Sequence, residues 1–212
     1  MKLGSEHCKK WRDDMTDSGK RRVTIKLADV VCRDTEDVLG ADEFFIAGAV
    51  VNYTPNSSLK KLHKPTATKP IIINTGQTRF FPEPGATVFD AVVGKDSYID
   101  IGWEGRDEDF ETGDFVKEYE VLLGAITTAV GTAVGTLVSP GVGTVAGAIL
   151  GAIGPAVLKA LPSVDKPDLL GIHAAVYHVA KLKLGRTRIE FPLQGKSWDY
   201  KVGYTIDCGI TA

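Results

Sequence analysis

The chain reads as a mainly β protein, an antiparallel β-sandwich with an inserted apolar α-helical hairpin. Three observations predict this. Short runs of β-branched and aromatic residues, bounded by Gly, Pro and Asn, fill residues 23–103 and return after residue 171. Between them, Val121 to Leu158 is a run of 38 residues without a charge. With 212 residues, 43% of them hydrophobic, the chain can bury one core of ordinary size.

The elements follow in order. Residues 1–22 are a polar arm with no apolar run long enough for a signal peptide, so the protein is expected to be made soluble. Val23–Ala28 alternates apolar and polar residues as a half-buried strand does, and Glu43–Val51 is the next apolar run. Asn52–Pro70 reads as a loop. Ile71–Ile73, Thr78–Phe81, Thr87–Val93 and Ser97–Trp103 read as further strands. After the uncharged run, Ile172–Leu184 alternates again, Gly185 stands where a hairpin would turn, and Arg186–Phe191 and Trp198–Ile206 complete the set. This assigns 23–120 and 165–212 to the sandwich and 121–164 to the insertion.

The net charge is −2, which argues against nucleic acid as a partner, because phosphate binding needs a positive excess. Cys8, Cys32 and Cys208 are too few and too far apart for a disulfide framework or a zinc clip. No GxSxG, HExxH or phosphate-binding Gly-rich loop is present, and no enzyme is expected. His173 and His178, five apart on one strand, face opposite sides and cannot share a metal.

Ser139-Pro140-Gly141 divides the uncharged run into halves of 18 and 17 residues. Each would form a helix about 26 Å long, a little short of the roughly 30 Å hydrocarbon core of a bilayer. Gly131 and Gly135 are four residues apart, and Gly143, Gly147 and Gly151 keep the same interval. In membranes such a row lets helix backbones approach closely. In water each mid-helix Gly costs about 1 kcal/mol relative to Ala. The five glycines are therefore expected to pack the two halves together and to serve membrane insertion; a hairpin buried in a soluble core is the alternative.

Two segments crowd carboxylates. Asp29–Glu43 holds six acidic residues and one basic one, and Glu104–Asp114 follows a predicted strand. Hard oxygen donors in alternation suit calcium. Asp107, Asp109, Glu111 and Glu118 occupy positions one, three, five and twelve of an EF-hand loop, but Thr112 stands where that loop needs Gly.

The segments VTIKLADVVCRDTEDVLGADEFFI and YIDIGWEGRDEDFETGDF resemble those of C2-domain-like calcium-binding sandwiches, in which loops at one end of two sheets jointly hold the ion. The resemblance spans about residues 23–120. It implies Asp34, Asp37 and Asp42 from the first loop and Asp107, Asp109 and Asp114 from the second as calcium ligands. The concealed hairpin is similar to those of membrane-inserting toxins, a likeness of architecture only. The resulting expectation is a pore-forming or membrane-permeabilising protein, released to act at a target-cell membrane and assembling there as a homo-oligomer. The alternative is a soluble calcium-stabilised binding module whose hairpin is a core or oligomer-interface element.

Overall fold

The computed structural model describes residues 19–35, 41–55, 62–83, 86–107, 115–138, 140–161 and 167–211. Among the described residues, ten strands form two five-stranded antiparallel sheets. Sheet A holds β1 (Lys20–Asp34), β5 (Thr78–Phe80), β6 (Thr87–Gly94), β9 (Gly185–Gln194) and β10 (Asp199–Ile210), in the order β5-β1-β10-β9 with β6 also on β1. Sheet B holds β2 (Asp42–Tyr53), β3 (Leu62–Ala67), β4 (Ile71–Ile73), β7 (Tyr98–Asp107) and β8 (Asp168–His178), in the order β3-β2-β7-β8 with β4 also on β2. Among the described residues, the helices α1 (Phe115–Gly135) and α2 (Thr144–Ala160) follow β7.

Side-chain alternation decides which sheet faces what. β1 points Val23, Ile25 and Leu27 inward; a register shift between Leu27 and Asp29 then reverses the parity, so Val30 and Cys32 are the next inward residues. They meet Phe44, Ile46 and Val50 of β2, Ile99, Ile101 and Trp103 of β7, and Tyr200, Val202, Tyr204 and Ile206 of β10. This core between the sheets includes the thiols of Cys32 and Cys208, both free.

The other face of sheet B is also covered. Phe45, Ala47, Ala49, Val51 and Tyr53 of β2 pack against Leu122, Ile126, Val130 and Val134 of α1 and Val145, Ile149, Ile153 and Val157 of α2. Burial on both faces explains why β2 reads as a continuous apolar run. Each helix supplies one residue every four, a single stripe along its length.

Several expectations need correction. β1 takes in Lys20–Arg22 from the supposed arm and continues to Asp34, through the start of the first acidic segment. Leu62–Ala67, read as loop, is β3, an edge strand that tolerates Pro65 because it pairs only with β2. α1 starts at Phe115, six residues before the uncharged run begins. β8 ends at His178 and a 3-10 turn occupies Val179–Lys181. Gly185, at φ 89°, turns no hairpin: β8 pairs with β7 and β9 with β10, so this connection crosses from one sheet to the other.

Candidate functional site

The strands run between two chemically different ends. At one end lie Asp34, Asp42 and Asp107: Asp34 pairs with Asp199 at the start of β10, and Phe44, two residues after Asp42, pairs with Asp107. The topology thus brings the two acidic segments together, as the sequence implied. The side chains diverge. Asp34 is exposed, Asp107 is buried, and Asp42 is fully buried with its carboxylate accepting the hydroxyl of Tyr200. Asp29 accepts from Arg188 at 2.8 Å on the outside of sheet A. Asp37, Asp109 and Asp114 lie outside the described residues. Among the described residues no three His, Cys, Asp or Glu side chains could hold a metal ion. Asp42 thus spends one carboxylate oxygen on an internal hydrogen bond, and half of the expected calcium ligands lie outside the described residues.

On the helix side of sheet B, β7 is polar where β2 is apolar. Asp100, fully buried, accepts the N–H of Ala146 at 3.0 Å. The α2 N-cap is Gly143, at φ 82° and without a side chain, so a strand of the neighbouring layer supplies the cap. Burial raises the Asp100 carboxyl to about 6 despite that hydrogen bond and the Tyr53 hydroxyl. Farther along β7, Arg106 grips Glu104 through Nε at 2.8 Å and Nη2 at 2.7 Å and donates to the carbonyl of Pro167. Gly154 passes over this pair. Gly102 lets α2 approach: a Cβ there would stand 2.7 Å from Cγ2 of Ile149.

Four of the five glycines expected to join the helices have open space or loose contact where a Cβ would stand. A Cβ added at Gly135, Gly147 or Gly151 would meet nothing within 4 Å, and at Gly143 only Val176 at 3.9 Å. Gly131 is half-buried. The reason is helical phase. Gly147 and Gly151 each lie two residues after Val145 and Ile149, about 200° around the helix, so a second four-residue repeat runs opposite the buried one. The threonines of α1 share this outer surface, and Thr127, Thr128 and Thr132 return their hydroxyls to carbonyls four residues back. No helix among the described residues is long and apolar enough to cross a membrane.

The opposite end of the sandwich is basic and apolar. Lys20 pairs with Gly94, Tyr98 with His178, and Tyr53 with Tyr98, which gathers the start of β1, the β6–β7 turn, the β8–β9 connection and the end of β2. The hydroxyl of Tyr53 reaches the carbonyl of Gly141, so the α1–α2 connection lies at this end too. Here Leu184 is 57% exposed, Val138 89% and Val142 56%. Lys181 and Lys183 are exposed and have no carboxylate partner among the described residues. Arg186 is held by Asp207 at 2.9 Å and Arg22 by Asp90 at 2.7 Å. Sequence reasoning passed over Lys181, Lys183 and Leu184 because Lys-Leu-Lys-Leu alternates like a strand; the charge of its polar positions was the available signal.

No protein-family model matches the chain, and no curated protein matches it. Solved structures of human GIVD cytosolic phospholipase A2 align with 92% of the chain: in complex with methyl gamma-linolenyl fluorophosphonate (TM-score 0.42), alone (0.42), and with that inhibitor and terbium chloride (0.40). Identity is 10% in each case, and this chain spans 17–18% of the length of those chains. A likeness this loose carries no inference about activity, so the function below rests on the chain's own geometry.

Proposed function

We propose that the chain is a peripheral membrane-binding module, not an enzyme, that docks on anionic lipid surfaces by its basic, apolar end. One observation carries this: the β8–β9 connection exposes Leu184 between Lys181, Lys183 and Arg186, at the end that also exposes Val138 and Val142. Apolar side chains enter the headgroup boundary while neighbouring lysines meet anionic lipids, and each basic residue near such a surface contributes about 1 kcal/mol. The acidic segments, at the far end, do not oppose the approach.

Sedimentation with vesicles tests the reading. Vesicles rich in phosphatidylserine should bind the chain and neutral ones should not, with the binding weakened by salt. Lys181→Glu with Lys183→Glu should reduce binding at least thirtyfold, roughly the effect of two lost contacts at about 1 kcal/mol each. Leu184→Ser should reduce it without changing the salt dependence much. Equal binding by parent and both variants would leave the soluble binding module as the surviving reading.

Binding without dye release is the expected outcome, because the apolar stripes of α1 and α2 are occupied by sheet B. Release would mean that the pair leaves the sheet, and would favour the pore-forming reading. Calcium addition examines the acidic end separately: a calcium-dependent gain would assign ligands to Asp34 and the segments beyond the described residues.

A further inference from the structure

We propose that the open mouth of the sandwich between β8 and β9 is a binding site for a small anion with an apolar body, a carboxylate or phosphate monoester on a short alkyl or aryl group. A cavity of about 200 Å³ lies there. Leu182, Ile189 and Ile206 supply apolar walls, and Lys181 and Lys183 supply positive charge. Neither lysine is committed to a carboxylate among the described residues. A neutral alkane would leave that charge unused, and a free inorganic anion would leave the walls uncovered. An anion with an apolar body uses both.

The wall also holds a hydrogen-bonding chain that leads into the core. Tyr177 lines the cavity, its hydroxyl bonds to that of Tyr204, and Tyr204 bonds to Nε2 of His173 at 3.2 Å. His173 is stacked on Phe191 at 4.0 Å, and burial lowers its pKa to about 4, so the imidazole is neutral near pH 7. With the proton on Nε2, His173 donates to Tyr204 and Tyr204 donates to Tyr177. The Tyr177 hydrogen is then free for an anionic oxygen in the cavity. A ligand anion favours this arrangement of the chain over its reverse.

The site shares Lys181 and Lys183 with the membrane docking proposed above but not Leu184, which does not line it. The required chemistry belongs both to the end of a lipid and to a free amphiphile, and two arms separate these sources. In the first, hexanoate is titrated into the full ¹⁵N-labelled chain without membranes. Saturable shifts are expected at the amides of Tyr177, Leu182 and Ile189, with hexanol and hexylamine binding at least tenfold more weakly. Lys181→Gln with Lys183→Gln should bring hexanoate down to the hexanol level. Tyr177→Phe should weaken hexanoate severalfold, Ile189→Trp should fill the cavity and abolish binding, and Leu184→Ser should change nothing. No saturable shift, equal binding of hexanoate and hexanol, or unchanged hexanoate binding by the lysine pair would overturn the proposal. The surface lysine variants keep it open to refutation if Ile189→Trp does not fold. In the second arm, Ile189→Trp is assayed on anionic vesicles. Lost vesicle binding by a variant that keeps the parent's amide spectrum outside the cavity identifies the ligand as a membrane lipid, and retained binding identifies it as a free amphiphile.

Discussion

Gly48→Ala is expected to cost about 3 kcal/mol or more, at or beyond the upper end of ordinary overpacking. Gly48 sits in the middle of β2, opposite Trp103, and a Cβ there would collide with the carbonyl of Gly102 and the Trp103 ring. A backbone carbonyl in a paired strand cannot step aside as a flexible side chain can. Gly102→Ala is expected to cost about 1–3 kcal/mol. Its damage should concentrate on the α2–sheet B contact, where its Cβ would lie 2.7 Å from Ile149 Cγ2 and 3.3 Å from the Ala146 carbonyl. Denaturant unfolding gives the two magnitudes, and amide exchange in α2 gives the location. Gly147→Ala and Gly151→Ala supply the contrast. Their Cβ atoms would meet nothing, so each should stabilise α2 by up to about 1 kcal/mol through helix propensity. Destabilisation by the latter pair would mean that the glycine row is a contact surface after all.

At pH 7, Asp100→Asn should stabilise the chain by about 3 kcal/mol and should expose a pH dependence that the parent conceals. Two buried groups titrate with opposite sign in nearly the same range. Asp100 is raised from 3.8 to about 6 by burial, so the folded chain holds its proton more tightly than the unfolded one. Stability from Asp100 therefore rises as pH falls from 6 toward 3.8. His173 is lowered from 6.5 to about 4 by burial among Trp103, Phe191 and Tyr204, so the unfolded chain takes up the proton first. Stability from His173 therefore falls over pH 6.5 to 4. At about 1.36 kcal/mol per pH unit, each contribution reaches about 3 kcal/mol.

The parent should consequently be nearly flat between pH 6.5 and 4.5. Below that range Glu83 and Asp90, held low by Lys26 and Arg22, begin to lose their partners. Asp100→Asn should leave the His173 loss uncompensated, a fall of about 2 kcal/mol across the window. His173→Phe should leave the Asp100 gain, an increase of similar size. Asn at 100 can still accept the Ala146 N–H, so the helix cap is retained and the carboxyl proton is the variable. Unfolding free energies at half-unit pH steps measure this, and parallel profiles for the parent and both variants would refute it.

Local patterns carried much of the architecture. Val23–Ala28, Glu43–Val51 and Ser97–Trp103 declare themselves as strands by alternation or β-rich composition; the first two lie within strands of the structure, and the third does so from Tyr98 on. The uncharged run declares helices because it is long, apolar and divided at Ser139-Pro140-Gly141. Which residues of that run face the sheet was not legible. Valine and isoleucine at one four-residue interval and glycine at the same interval, on opposite sides of α2, are equally regular as text. The candidate docking end was half legible: the lysines and Leu184 are visible in the sequence, but their convergence with Val138 and Val142 depends on strands far apart in the chain.

The sequence by itself determined that this is a β-rich chain with a helical segment, because period and composition are properties of neighbours. Tertiary structure alone decided the rest. It placed the uncharged segment against the outer face of sheet B, turned Asp42 inward to Tyr200, and made Asp100 the cap of a helix begun by a bare glycine. The first outcome is set by apolar surface finding apolar surface across layers, the other two by which buried polar group finds a partner there. An unpaired group in the interior costs more than any local preference returns.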